Sequence, residues 1–232
     1  MFTLGPPMWG VGITDPYAAS VQSLLHFNEA DGTALPAASL GSASVTNDGS
    51  ASAPATNAVK STTPKFGAGA WLAAGGSTGL KVSKTTSAAA PYTIEFFVMP
   101  VTLGAFGRFL GVAALSGGVA FSLAYGGGSV NYVDLTGTNR ATTGSMSTGN
   151  WYHIAICYDG TTVRVYQDGT QIFSSSTYSR DLSSDTITIG VGCSAGAGGA
   201  DGTARFDEFR WTHGVDRYPS GLSVPTSEYP NS

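Results

Sequence analysis

The chain has 232 residues, a net charge of −4, 42% hydrophobic residues and only 11% charged ones, with 32 glycines. The acidic balance argues against nucleic acid and anionic lipid as partners, since both need a basic face, and no run of 18 apolar residues offers a membrane span. Disorder is excluded by the 4 Trp, 10 Tyr and 11 Phe spread along the chain, which must be buried somewhere.

Residues 1–20 are rich in Gly and Pro and are expected to form an extended arm. Phe2, Leu4, Met8, Trp9 and Ile13 are costly to leave in water, so the arm is expected to dock on a neighbouring subunit rather than trail as a tail. The opening residues lack the positive region of a secretory signal.

A domain over 21–232 follows. Leu24–Phe27 is a short apolar run stopped by the turn cluster Asn28–Gly32, and 33–63 carries too little apolar bulk for more than weak strands. Trp71-Leu72 and Leu80–Val82 are short strands between glycines. Tyr92–Met99, ended by Pro100, alternates Ile94, Phe96 and Val98 on one face with Glu95, Phe97 and Met99 on the other. Further strands are predicted at 109–112, 119–125, 130–135, 151–158, 162–167, 171–174, 186–190 and 205–212, with Asp168-Gly169 as a tight hairpin turn. Strands about every ten residues, without helical periodicity, predict an all-β sandwich or barrel.

Three segments, in order and spacing, resemble a known group. They are Asp15-Pro16-Tyr17 with Leu24–Phe27 and Asp31-Gly32; Tyr92–Phe96 with Asn150–Ala155 and Val163–Thr170; and Phe206–Trp211 with Gly214–Tyr218 and Val224-Pro225. Together they resemble the laminin-G-like/concanavalin-A-like jelly roll of tailed-bacteriophage virion proteins. The resemblance implies a β-sandwich of two antiparallel sheets, displayed on a capsid, tail or fibre, with ligands at its loop edges. The middle segment is shared by the whole superfamily, so it specifies fold more than function.

The resemblance also implies a structural calcium ion on one edge, with Asp207 on the last strand and Asn28 or Asp31 near the first. The acid that relatives carry after the Asp-Gly turn is here replaced by Leu35–Ser39, which removes a ligand charge. The plainer alternative is that Asp207 caps a turn through backbone hydrogen bonds. A sugar platform is sketched by Asn131, Tyr132, Asp134 and Arg140, an aromatic ring beside hydrogen-bonding groups; a packed tyrosine is the alternative.

Catalysis lacks support. The Glu-x-Asp-x-x-Glu spacing of the superfamily's β-glucanases is missing, and Glu95 and Glu208 are single acids. Both are expected to face solvent, with Glu208 and Arg210 forming a surface pair worth under about 1 kcal/mol. His26, His153 and His213 are scattered, and no Gly-x-Ser-x-Gly elbow occurs. Gly75–Gly79 lacks the lysine of a phosphate loop and Gly196–Gly202 lacks the following helix, so both are expected to be plain loops. Cys157 and Cys193 are expected to be free, mostly buried thiols.

The sequence therefore predicts a non-enzymatic virion protein, a capsid decoration or tail- or fibre-associated module. It would be made in the host bacterial cytoplasm, displayed on the virion surface as a homo-oligomer docked on other virion proteins, and able to bind host-surface polysaccharide. A free-standing carbohydrate-binding module is the alternative, and a glycoside hydrolase is the weakest reading.

Overall fold

Strands occupy nearly every stretch where apolar and polar residues alternate between turn formers. In the computed structural model they run at Val21–Leu25 (β1), Leu40–Gly41 (β2), Ser44–Asp48 (β3), Ala58–Lys60 (β4), Ala70–Ala73 (β5), Thr78–Ser83 (β6), Tyr92–Leu103 (β7) and Phe106–Ala114 (β8). They continue at Gly118–Gly126 (β9), Ser129–Val133 (β10), Gly144–Ser145 (β11), Tyr152–Tyr158 (β12), Val163–Gln167 (β13), Thr170–Ser175 (β14), Asp185–Val191 (β15) and Gly202–His213 (β16). The structure describes residues 14–48, 58–60, 62–73, 78–84, 90–103, 106–114, 118–126, 129–133, 144–176, 182, 185–191 and 202–232.

Two antiparallel sheets result. The first has the order β14-β13-β12-β7-β16-β1-β2, with β5 paired to β16 and β4 to β5. The second has the order β11-β10-β9-β8-β15-β6-β3. Between them lie Trp71, Ile94, Phe96, Ile156, Phe206 and Trp211 from the first sheet and Leu80, Val82, Phe109, Leu123, Ile187 and Ile189 from the second, all fully buried. Trp71 sits between Phe27 and Phe206, with ring centroids 6.5 and 6.1 Å away. Each such ring contributes on the order of 2 kcal/mol by leaving water. The jelly-roll sandwich expected from the sequence is the fold.

Three local features shape the first sheet. At the β13–β14 hairpin, Asp168 and Gly169 take φ of 48° and 80°, the paired positive angles that match strand twist in a two-residue turn. Pro100 does not end β7, which continues to Leu103. Its missing N–H lies beyond the β12 ladder, which stops at the pair Tyr152 and Val98, so no sheet bond is lost.

The third is a bulge in β16. Asp207 pairs with Phe97 and Arg210 with Glu95, so Glu208 and Phe209 stand against the single residue between those partners. Glu208 carries the strain, at φ 51°. The extra residue changes the core spacing to Phe206, Phe209 and Trp211, and leaves Asp207, Glu208 and Arg210 on the opposite face.

That face is not solvent. Residues 214–232, which contain no strand or helix, lie across it. Leu222 packs with Ala155, Cys157 and Tyr166, while Tyr229 packs with Val21, Leu24 and Phe97. The expectation of solvent-facing acids is thereby corrected, because Glu95 and Glu208 are fully buried and Arg210 is nearly so. Alternation assigns a side chain to a face of the sheet, but not what covers that face.

The boundary of the N-terminal arm also moves. Asp15 is 6% exposed and residues 18–20 form one turn of 3-10 helix against β2, so residues 14–20 belong with the domain. Phe2, Leu4, Met8, Trp9 and Ile13 fall outside the described residues.

Candidate functional site

Among the described residues, the largest concentration of charge lies under the tail, where β7, β12 and β16 each contribute polar side chains to the covered face. Glu95 is its hub. Its Oε1 accepts hydrogen bonds from Nε and Nη2 of Arg210, at 2.9 and 2.8 Å. Its Oε2 accepts the phenolic O–H groups of Tyr218 and Tyr229, at 2.6 and 3.1 Å. Tyr229 in turn meets Nε2 of His153 at 3.0 Å, and the Arg210 guanidinium lies 3.8 Å from the centre of the Tyr229 ring. His153 thus serves packing and hydrogen bonding, fully buried with its ring against Phe97. Burial opposes ionisation of Glu95, but the charge of Arg210, with support from His153 and Tyr218, holds its carboxyl well below the usual range.

Asp15 anchors the N-terminal side. Both of its oxygens face Arg217, and Oδ2 also accepts Nη1 of Arg210 at 3.1 Å. Arg217 continues to Oγ1 of Thr212 at 2.6 Å, and the Asp15 N–H reaches the carbonyl of Ser232. The two ends of the described chain are clasped through one acid. A parallel pair, Arg164 with Asp159 and Asp216, ties the start of the tail to β13.

At the opposite corner, Nδ1 of His26 stands 2.6 Å from Oε1 of Glu208, and Nε2 stands 2.8 Å from Oδ1 of Asn231. Oε2 of Glu208 accepts the Tyr229 N–H at 2.8 Å. Glu228, on the exposed rim, accepts Nδ2 of Asn28 at 2.6 Å. Burial pulls the His26 imidazole toward neutrality, yet the hydrogen bond and charge of Glu208 outweigh it and raise its pKa. Burial raises Glu208 in spite of those same bonds.

The residues expected to bind calcium are placed differently. Asp207 accepts the N–H groups of Lys65 and Phe66 at Oδ2, at 2.8 and 3.1 Å, and that of Glu208 at Oδ1, at 2.9 Å. Oδ1 of Asn28 accepts the Ala68 N–H at 2.6 Å. Asp207 and Asn28 therefore close one turn, 65–68, with their oxygens facing amide protons that would repel a cation and cannot leave. Asp31 is exposed on its own turn. These three do not fit a calcium ion, and the turn-capping alternative describes Asp207. Burial, reinforced by the Glu208 charge, pushes the Asp207 carboxyl up to about 8 against the pull of those amides.

Of the sugar platform, Asn131 and Tyr132 lie on β10, opposite Ala124 and Leu123 of β9 and one strand from the sheet edge. Asp134 and Arg140 lie outside the described residues, as do Cys193 and most of the two glycine loops. Cys157 is a free, buried thiol.

Chemically, the carboxylate of Glu95 is saturated. The oxygens of Glu95 meet four donors and are fully buried, so they touch no substrate and hold no proton to donate near neutrality. Sequence reasoning missed Asp15, Arg217, Tyr218 and Tyr229 as members. The only available signal was the pair of motifs Asp15-Pro16-Tyr17 and Asp216-Arg217-Tyr218, and their contact spans 202 residues.

The family described as the concanavalin A-like lectin/glucanases superfamily matches residues 74–215, more than half of the chain. Among solved structures of similar fold is domain 4 of AbnA, a GH43 extracellular arabinanase from Geobacillus stearothermophilus, in complex with arabinotriose. It has a TM-score of 0.62 and 19% identity, over 85% of this chain and 94% of that one. A second is Trypanosoma rangeli sialidase in complex with 2,3-difluorosialic acid, with a TM-score of 0.60 and 15% identity, over 84% of this chain and 30% of that one. A third is the botulinum neurotoxin serotype D binding domain, with a TM-score of 0.56 and 12% identity, over 94% and 51%. The chain spans about half the length of the neurotoxin domain it matches, and at these identities the likeness is one of fold. No curated protein sequence matches.

Proposed function

This chain belongs to the concanavalin A-like lectin/glucanases superfamily, and we propose that it serves as a carbohydrate-binding module without hydrolytic activity. One observation carries the second half of that reading. Glu95, Asp207 and Glu208, three acids on the central strands of the first sheet, are fully buried, beneath the tail or the 65–68 turn, with their oxygens engaged by protein donors. A glycosidase needs two carboxyls open to a shared cleft, and these acids serve the fold instead. The first half draws support from structural neighbours such as the arabinanase domain with its arabinotriose. Asn131 and Tyr132 on β10 are the proposed platform, with Asp134 and Arg140 beyond them.

A glycan array probed with the full chain, paired with reducing-sugar release on every glycan bound, tests both halves. Binding that falls at least about tenfold in Tyr132→Ala, with no release of sugar, is expected. Cleavage that is lost in Glu95→Gln would overturn the non-catalytic assignment.

We retain a virion setting, as a capsid decoration or tail- or fibre-associated module, as the second reading. It rests on the likeness of the two terminal segments to phage proteins, and those segments hold each other through Asp15 and Arg217. Docking on other virion proteins would then fall to residues 1–13. Assembly unchanged by their deletion would remove that role.

A further inference from the structure

We propose that His26, Glu208 and Glu228 form a binding site for a divalent ion of the zinc type, a site separate from any sugar platform. One ligand atom from each residue lies within 4.8 Å of the other two. Metal–ligand bonds of roughly 2.0–2.2 Å place tetrahedral ligands about 3.3 Å apart. The three ligand atoms must therefore close on the ion by up to about 1.5 Å.

Three separate stretches of chain supply the ligands: the segment just after β1, the bulge in β16, and the tail. The bulge has a purpose in this arrangement, since the strained φ of 51° puts Glu208 on the covered face beside Asp207. The Tyr229 N–H holds Oε2 of Glu208 and leaves Oε1 turned toward His26. Asn231 fixes the imidazole from its far side, accepting Nε2–H at 2.8 Å. That is the outer hydrogen bond that metal-bound histidines usually make, and it leaves Nδ1 as the ligand atom. Glu228 is exposed and gives the ion a way in. Gly67 keeps the rim open, because a Cβ there would stand 2.1 Å from Oε1 of Glu228.

The proton count separates this cluster from Asp207. With Nε2–H given to Asn231, the 2.6 Å contact between Nδ1 and Oε1 holds a single shared proton. An incoming ion takes the Nδ1 lone pair and releases that proton to water. Two carboxylates and one imidazolium, net −1, become two carboxylates, a neutral imidazole and a dication, net zero. The amide protons on Asp207 have no such exit. One nitrogen with two carboxylates suits zinc, cobalt, nickel or copper, whereas calcium prefers six to eight oxygens.

Calorimetric titration of the chelator-treated full chain with Zn²⁺, and separately with Ca²⁺, tests the site. One Zn²⁺ per chain is expected, with affinity about tenfold or more weaker in Glu228→Gln, absent in His26→Gln, and no comparable heat from Ca²⁺. Co²⁺ should give a visible absorption band that His26→Gln loses and that Glu228→Gln reaches only at higher Co²⁺ concentration. If circular dichroism shows His26→Gln unfolded, Glu228→Gln decides alone, since its side chain is on the surface. No saturable Zn²⁺ binding, equal affinity in Glu228→Gln, or equal binding of Ca²⁺ would each overturn the proposal.

Discussion

Asp15 and Arg217, 202 residues apart, meet fork to fork, with Nη1 and Nη2 of the guanidinium 2.9 and 2.8 Å from Oδ1 and Oδ2 of the carboxylate. Both side chains are almost wholly buried, so the pair fixes the N-terminal segment and the tail as one unit. Removing one partner of a buried pair costs on the order of 3 kcal/mol, because the other charge is stranded. Deleting residues 1–13 should leave the urea midpoint unchanged, while Asp15→Ala should lower stability by about that amount. Equal midpoints for the two proteins would show that the clasp is idle.

Glu95→Gln should be the most damaging exchange on the covered face, at about 3–5 kcal/mol, because Arg210 loses its closest charge. Adding Arg210→Met should recover part of the loss, with a coupling of about 1–3 kcal/mol in a double-mutant cycle. Strictly additive losses would show that the pair is not coupled.

Stability should peak in mildly acidic solution. Burial works against Glu95 and Asp15 as anions, but arginine partners hold both below their ordinary values of 4.5 and 3.8. Their contribution is complete above those values and lost as pH falls further. His26 is raised above 6.5, so its contribution is complete below 6.5 and fades as pH climbs through the raised value. Glu208 and Asp207, both raised by burial, bind protons more tightly folded than unfolded and add to the alkaline decline. Urea midpoints from pH 3 to 9 should therefore be highest at about pH 5, with a shallower alkaline limb in His26→Gln. An unchanged limb in that variant would sink the assignment.

Cys157 reports on the tail. Leu222 and Tyr218 pack over it, and burial pushes its thiol well above the usual range. In a Cys193→Ser background, a thiol reagent should leave the folded chain unlabelled and should label the protein truncated after Ser220. Rapid labelling of the intact chain would mean that the tail opens freely.

Alternation, turn residues and aromatic content were enough to define the sandwich. Ile94, Phe96 and Val98 declare a core face by themselves, and Asp168-Gly169 declares a hairpin, because both are local properties of backbone geometry. The charged cluster was half legible. Glu95 and Arg210 stand at alternating positions on recognisable strands, yet nothing near them in sequence indicates that they are buried. Their cover comes from residues 214–232, which lack periodicity and look like an exposed terminus. The bulge at Glu208 and the clasp of Asp15 on Arg217 were likewise decided in three dimensions. A side chain's surroundings depend on segments far away along the chain, and only folding brings an acid, its arginine and the tail above them together.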